Sequence, residues 1–181
     1  MNEPQSFKNQ FLIALNSLSG DYFAQSITLL VDHNENGAFG LMINRPLKQD
    51  IGAIFPGLPD HIQCPLLEGG PVEQDKLFFL HRSDLTFEST FAVSPDISLT
   101  TSQDLVDNLH EGDMPDALVA ILGYAGWGAE QLEQELGENT WLLTPASAEI
   151  IFDIEIEKRA AVAANQLGVD LNLIATNPGH D

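Results

Sequence analysis

The sequence predicts a single mixed α/β domain, and three observations predict it. A chain of 181 residues with 44% apolar and 19% charged side chains is long enough for one domain with a buried core, and too apolar for disorder. Apolar runs of strand length, separated by Gly, Pro and Asn turn signals, recur from residue 11 to residue 143. Between the later runs lie two stretches with apolar residues at helical spacing. No repeat, low-complexity tract or linker divides residues 1–181, and the polar residues 1–10 read as a flexible start.

Residues 11–15 and 26–31 are short buried strands, the second rich in β-branched and aliphatic side chains. The segment 17–25 between them is turn-like, with Ser19, Gly20 and Asp21 together. Asn34-Glu35-Asn36-Gly37 is a hairpin signal, since Asn and Gly tolerate the positive φ of tight turns, so a strand over 38–44 follows. Arg45-Pro46 ends it, because proline has no ladder donor and restricts the residue before it. Residues 51–55 form a short helix, and 64–67 a short apolar piece running into Glu68-Gly69-Gly70-Pro71. Strands are expected over 76–81, 87–93 and 97–99. Thr101-Ser102-Gln103-Asp104 offers a capping box for a helix ending near His110. Residues 117–122 are a continuous apolar strand covered on both faces. The glycine-rich turn Gly123-Tyr124-Ala125-Gly126-Trp127-Gly128 leads into a helix over 129–136. A strand is expected at 141–143; 150–157 fits either a strand or a helix; 160–167 is a helix stopped by Gly168.

Charge excludes some functions. Acids outnumber bases 27 to 7, for a net charge of -20. Phosphate binding needs clustered Lys and Arg, so direct nucleic-acid binding and anionic membranes are disfavoured. The seven bases are Lys8, Arg45, Lys48, Lys76, Arg82, Lys158 and Arg159, which leaves residues 83–157 without a positive side chain. That acidic stretch is either a solvated face or a surface for a basic partner, and it has no calcium-loop spacing. The apolar run 11–15 is too short for a signal peptide or a membrane span. Cys64 is the only cysteine, so no intrachain disulfide is possible, and a cytoplasmic protein is expected.

The side chains richest in chemistry are Asp32, His33 and Asn34 with Asn44 and Arg45. At about 3.3 Å per residue along the strands, the hairpin sets His33 and Asn44 on the order of 20 Å apart, so they serve locally: Asp32 and Asn34 at the turn, Asn44 and Arg45 at the exit. Arg45, isolated in an acidic chain, is the candidate anion ligand. Gly69-Gly70-Pro71 is read as a tight turn whose amides are a weaker anion candidate; it lacks P-loop and dinucleotide motifs, so no cofactor is expected. Trp127 is either an exposed contact for a partner or a core anchor with its N–H bonded. The histidines are scattered and suggest no metal site. His81 with Ser83 and Asp84 has the residue types of a catalytic triad, but triads are assembled across a fold rather than from sequence neighbours. Cys64 beside Pro65 reads as buried and inert.

Three ordered segments resemble one family: Phe11-Leu12-Ile13-Ala14 with Asp32-His33-Asn34 and Gly37 to Pro46; Gly69-Gly70-Pro71-Val72 with Leu80-His81; and Gly123 to Ala129 with Gln131-Leu132-Glu133. The chain is similar to the YqgE/AlgH family, also grouped as UPF0301 or DUF179, from about Phe11 to His180 including Gly179-His180. The resemblance implies one α/β domain with a small closed β-barrel in a branched sheet surrounded by helices. It implies no settled activity, although some members carry the label of transcriptional regulator. Here Asn16 replaces a usual proline, Glu130 a usual glycine, and Ala160 a frequent tryptophan.

Together these observations predict a non-enzymatic binding or regulatory module, acting through a protein partner or a small anionic ligand, with any transcriptional role indirect. Its expected site surface is Asn44, Arg45, Gly69, Gly70, Trp127 and Gln131. The alternatives are a hydrolase or other enzyme using Arg45 for an anion and His33 or His81 as acid or base, and a direct DNA-binding regulator, which the charge disfavours. Convergence of Arg45 with a histidine and carboxylates in one cleft separates the first alternative from the binding reading.

Overall fold

In the computed structural model, residues 6–15 and 22–171 are described. Nine strands and five helices follow in order: β1 (Gln10–Ala14), β2 (Ile27–Asn34), β3 (Gly37–Met42), α1 (Ile51–Ile54), β4 (Leu66–Glu68), β5 (Val72–Arg82), β6 (Phe91–Ala92), β7 (Ile97–Thr100), α2 (Gln103–His110), β8 (Leu118–Trp127), α3 (Gln131–Gly137), β9 (Trp141–Pro145), α4 (Ala148–Phe152) and α5 (Arg159–Asn165). The nine strands form one sheet, eight of them in the order β6-β7-β5-β8-β3-β2-β1-β9 and β4 branching off at β8. It curls into a half-barrel whose end strands β6 and β9 do not pair, so the closed barrel expected from the resemblance is an open one.

β8 is the branch point. Ala120 to Leu122 pair with β4 on one edge and β5 on the other, and Ala125 to Trp127 pair with β3. The expected turn at residues 123–128 is therefore strand as far as Trp127, with helix starting only at Gln131. Gly123, at φ +79°, sits where β8 leaves β4 for β3 and where β5 carries a register shift.

Because β4 and β5 lie on opposite edges of β8, the chain between them crosses that strand. Gly69-Gly70-Pro71 is this crossing and not a tight turn between neighbours. A Cβ on Gly70 would lie 2.1 Å from the Tyr124 carbonyl, and one on Gly69 2.3 Å from the Gly123 carbonyl. The missing side chains let one backbone lie on the other.

Side chains alternate between two covered faces. Phe78, Leu80, Val119 and Ile121 join Phe11, Ile13 and Leu29 against Ile150 and Ile151 of α4 and Ala160, Ala163 and Ala164 of α5. Phe79, Leu118 and Ala120 face Leu105, Val106 and Leu109 of α2 and Ile51 of α1. A third cluster puts Leu12, Leu30 and Ala125 under Trp127, Leu132 and Trp141.

Other expectations shift for physical reasons. Only Phe91–Ala92 of the expected strand over 87–93 pairs; Phe87 instead donates its N–H to Thr90 Oγ1 in a turn. Ser102 takes the N-cap position of α2 without closing the box: its hydroxyl donates to Asp104 at 2.5 Å. The two-way reading of 150–157 resolves into α4 and a 3₁₀ turn over Ile156–Lys158. Residues 6–10, expected to be flexible, are tied down. The Ser6 hydroxyl donates to the His33 carbonyl, Asn9 N–H to the Leu30 carbonyl, and Gln10 opens β1. Residues 1–5, Asn16, the Ser19-Gly20-Asp21 turn and Gly179-His180 lie outside the described residues.

Candidate functional site

The hairpin separates the two halves of the first candidate cluster, as the strand arithmetic anticipates. Asn34 pairs with Gly37 at one end of β2, and Thr28 with Met42 at the other. At the turn, Asp32 accepts the His33 N–H at 2.9 Å and Asn34 accepts the Asn36 N–H at 2.7 Å. At the exit, Asn44 Oδ1 accepts from Ile27 N–H at 3.1 Å while its amide donates to the Gln25 carbonyl at 2.9 Å. All three Asx side chains thus serve the backbone.

Arg45 donates to the Ala24 carbonyl at 3.1 Å and lies 5.0 Å over the Tyr22 ring. The Tyr22 hydroxyl donates to Glu68, and burial first, then Glu68, pushes its pKa up to about 12. No histidine bonds within this group. The nearby Gly69 N–H is already given to the Leu122 carbonyl at 2.7 Å, and Gly69 and Gly70 are both buried, so the crossing offers no amide cradle for an anion.

Each candidate histidine has a structural occupation. His33 Nδ1 accepts the Phe7 N–H at 2.9 Å, which fixes the proton on Nε2, and Nε2 donates to Glu133 at 2.9 Å. The ring stacks on Phe7 with centroids 5.0 Å apart. The Glu133 carboxyl lies below the usual range, held there chiefly by its own backbone N–H and also by His33. His81 is fully buried: Nδ1 donates to the Arg82 carbonyl at 2.8 Å and Nε2 accepts from Thr100 Oγ1 at 2.8 Å. Burial pushes this imidazole below its ordinary value. Ser83 bonds Ser98, and Asp84 accepts from the Asp116 N–H, so His81, Ser83 and Asp84 make no triad. The acid–base role proposed for His81 fails on access to solvent. Burial also pushes the Cys64 thiol up to about 12, which keeps it protonated and unreactive.

Trp127 and Gln131 do come together, with two residues that the sequence reading missed. Trp127 is 6% exposed, so it is an anchor and not a surface aromatic. Its Nε1–H donates to Glu135 Oε1 at 3.0 Å, and the Trp141 Nε1–H donates to the same oxygen at 2.9 Å. Gln131 donates to Glu135 Oε2 at 3.0 Å and accepts the Gly128 N–H at 2.9 Å. Gly40 makes room for this arrangement, since a Cβ there would lie 3.2 Å from the Trp127 ring. These groups line a recess of about 250 Å³ with Phe23, Gly126, Glu138 and Thr140. Gln131 and Glu135 are four apart on α3 and so share a face, and Trp141 opens the next strand: that spacing was the available signal.

Among the described residues no group of His, Cys, Asp and Glu is placed to hold a metal ion, and no helix is long and apolar enough to cross a membrane.

The family model described as DUF179, AlgH-like, matches residues 11–172. A UPF0301 protein of Pseudomonas savastanoi pv. phaseolicola is 43% identical, over 98% of this chain and 97% of its own. One from Saccharophagus degradans is 42% identical, over 97% of this chain and 89% of its own. The solution structure of the AlgH protein from Pseudomonas aeruginosa matches with a TM-score of 0.77 at 40% identity, covering 100% of this chain and 99% of that one. A crystal structure from Corynebacterium diphtheriae shares the fold at a TM-score of 0.75 and 17% identity, covering 97% and 95%.

Proposed function

Since the chain belongs to the AlgH-like family, we propose, from its own side chains, that it is a non-enzymatic binding module of the cytosol with its binding site at the Trp127–Trp141 recess. One observation carries the reading: two indoles, a phenyl ring and a hydrogen-bonded carboxylate converge on one small opening. A concave site whose polar groups, Gln131, Glu135, Glu138 and Thr140, stand around aromatic rings can fix the orientation of a ligand. The histidines that acid–base chemistry would need are engaged with backbone, Thr100 and Glu133 elsewhere. The partner is a protein or a small ligand, and any effect on transcription is indirect, because a net charge of -20 repels the DNA backbone.

Thermal melting of the wild type and of Arg45→Ala against nucleotides, phosphorylated metabolites, metals and amines tests this. A ligand at a hundred times its Kd adds about 2.7 kcal/mol, enough to move the melt by several degrees. A shift kept in Arg45→Ala, without turnover, is the expected result. A shift lost in that variant would move the site to the Arg45 face. Turnover of any compound, or tight sequence-specific DNA binding at physiological salt, would overturn the reading.

A further inference from the structure

We infer that His33 is a proton-operated latch on the start of the chain: the neutral ring holds residues 6–9 against β2, and the protonated ring releases them while keeping its hold on α3. The two nitrogens of this one ring carry the argument. Residues 6–9 lead into β1 and lie along the end of β2 as a strap. The Ser6 hydroxyl donates to the His33 carbonyl at 3.1 Å, the Phe7 N–H to His33 Nδ1 at 2.9 Å, and the Asn9 N–H to the Leu30 carbonyl at 2.9 Å. Only the Phe7 bond ends on an imidazole, the side chain whose ordinary change of charge falls between pH 5 and 8. On the far side of the ring, Nε2 donates to Glu133 of α3 at 2.9 Å.

A bulge between Leu30 and Asp32 re-aims the end of β2, so that His33 turns inward between two exposed neighbours, Asp32 and Asn34. Its side chain is 2% exposed and the Phe7 ring stacks on it, so the docked strap covers Nδ1. Protonation puts an N–H on both ring nitrogens, and Nδ1 then meets the Phe7 N–H donor to donor. On the α3 side the same charge is answered by the Glu133 carboxylate. Docked strap and imidazolium therefore exclude each other, whereas imidazolium and the Glu133 contact reinforce each other. The other charged groups beside the ring do not reverse this. Asp32 on β2 accepts the His33 backbone N–H, β3 places uncharged Ala38 opposite, and the strap's Lys8 turns its ammonium to the Phe91 ring, 4.6 Å from the centroid. Release bares the His33 ring and frees Phe7 and Lys8, so acid changes the surface at the hairpin end while the sheet keeps its pairing.

Amide hydrogen exchange of the full chain at pH 8 and pH 5, expressed as protection so that the intrinsic pH dependence of exchange cancels, tests the latch. At pH 5 the Phe7 and Asn9 amides are expected to lose about tenfold in protection. The Gln134 and Glu138 amides of α3 keep or gain theirs. His33→Gln, whose amide accepts and donates without titrating, is expected to hold the strap equally at both pH values. Glu133→Gln keeps an acceptor for Nε2 but removes the charge that draws the proton, and its strap is expected to lose about threefold less protection than the wild type. Glu133 is 43% exposed, so this variant decides the case if His33→Gln does not fold. An acid loss in Glu133→Gln equal to that of the wild type would overturn the latch. So would a strap unchanged at pH 5, or the wild-type acid loss persisting in His33→Gln. A loss shared equally by the strap, α3 and Leu80 of β5 would also overturn it, by showing a general loss of stability rather than a local release.

Discussion

Trp127 and Trp141 donate to one and the same oxygen, Glu135 Oε1, at 3.0 and 2.9 Å. A carboxylate on α3 thereby joins the last residue of β8 to the first of β9. Removing it strands two largely buried donors, and each unsatisfied donor costs about 1–3 kcal/mol. Glu135→Ala is expected to lower stability by about 3 kcal/mol in urea denaturation, and Glu135→Gln by about 1 kcal/mol, since the amide oxygen still accepts. Equal losses in the two variants would show that the hydrogen bonds contribute little.

Glu130 immediately precedes α3 with φ +65°, the left-handed region that glycine enters freely and glutamate at a cost. This explains in backbone terms why relatives are expected to carry glycine there. Glu130→Gly should raise stability by about 0.5–1 kcal/mol, after the added freedom of the unfolded chain is offset. A destabilised variant would mean that the Glu130 side chain makes a contribution larger than its backbone strain.

The β4–β5 crossing has no slack. In Gly70→Ala the new methyl would stand 2.1 Å from the Tyr124 carbonyl, a backbone atom that cannot step aside. The expected loss is about 3 kcal/mol or more, with failure to fold as the extreme. Gly137→Ala is the control: no atom lies within 4 Å of its Cβ, its φ is not positive, and it closes α3, so a gain of about 0.5 kcal/mol is expected. Similar melting of both variants would contradict the close crossing.

His81 gives a pH dependence with a definite sign. Its folded pKa lies below its unfolded value of about 6.5, because burial disfavours the imidazolium. The unfolded chain therefore binds more protons in that window, and stability is fully present above pH 6.5 and falls as the pH drops below it. His81→Gln should be less stable than wild type at pH 8 but lose less between about pH 6.5 and 5. Parallel stability curves for the two proteins would show that His81 does not carry the slope.

The readable parts of the molecule are those governed by neighbours in sequence. The Asn34 to Gly37 turn, the short helix before Pro56 and the amphipathic α2 follow from local φ preferences and spacing, and each stands where expected. Gly123 to Trp127 is strand where a turn is expected, because glycine in a turn and glycine at a backbone crossing look alike in sequence; only the fold brings Gly70 onto Gly123 and Tyr124. The site divides in the same way. Trp127 and Gln131 are separated by one short connection and are legible together, whereas Glu135 and Trp141 acquire meaning only once the curled sheet brings the Trp141 ring, at the start of β9, to the Trp127 ring, with β3, β2 and β1 between them in the sheet order.

The position of β8 sets when pairing can be completed during synthesis. β3 ends at Met42, yet its partner strand is complete only at Trp127, a wait of 127 minus 42, or 85, residues. At ~5–20 residues per second the ribosome takes roughly 4 to 17 seconds to supply it. The β2–β3 hairpin and β5 emerge with an open edge through that interval, and β1 waits longer still for β9. The nascent chain thus holds unpaired strands until its last third is made.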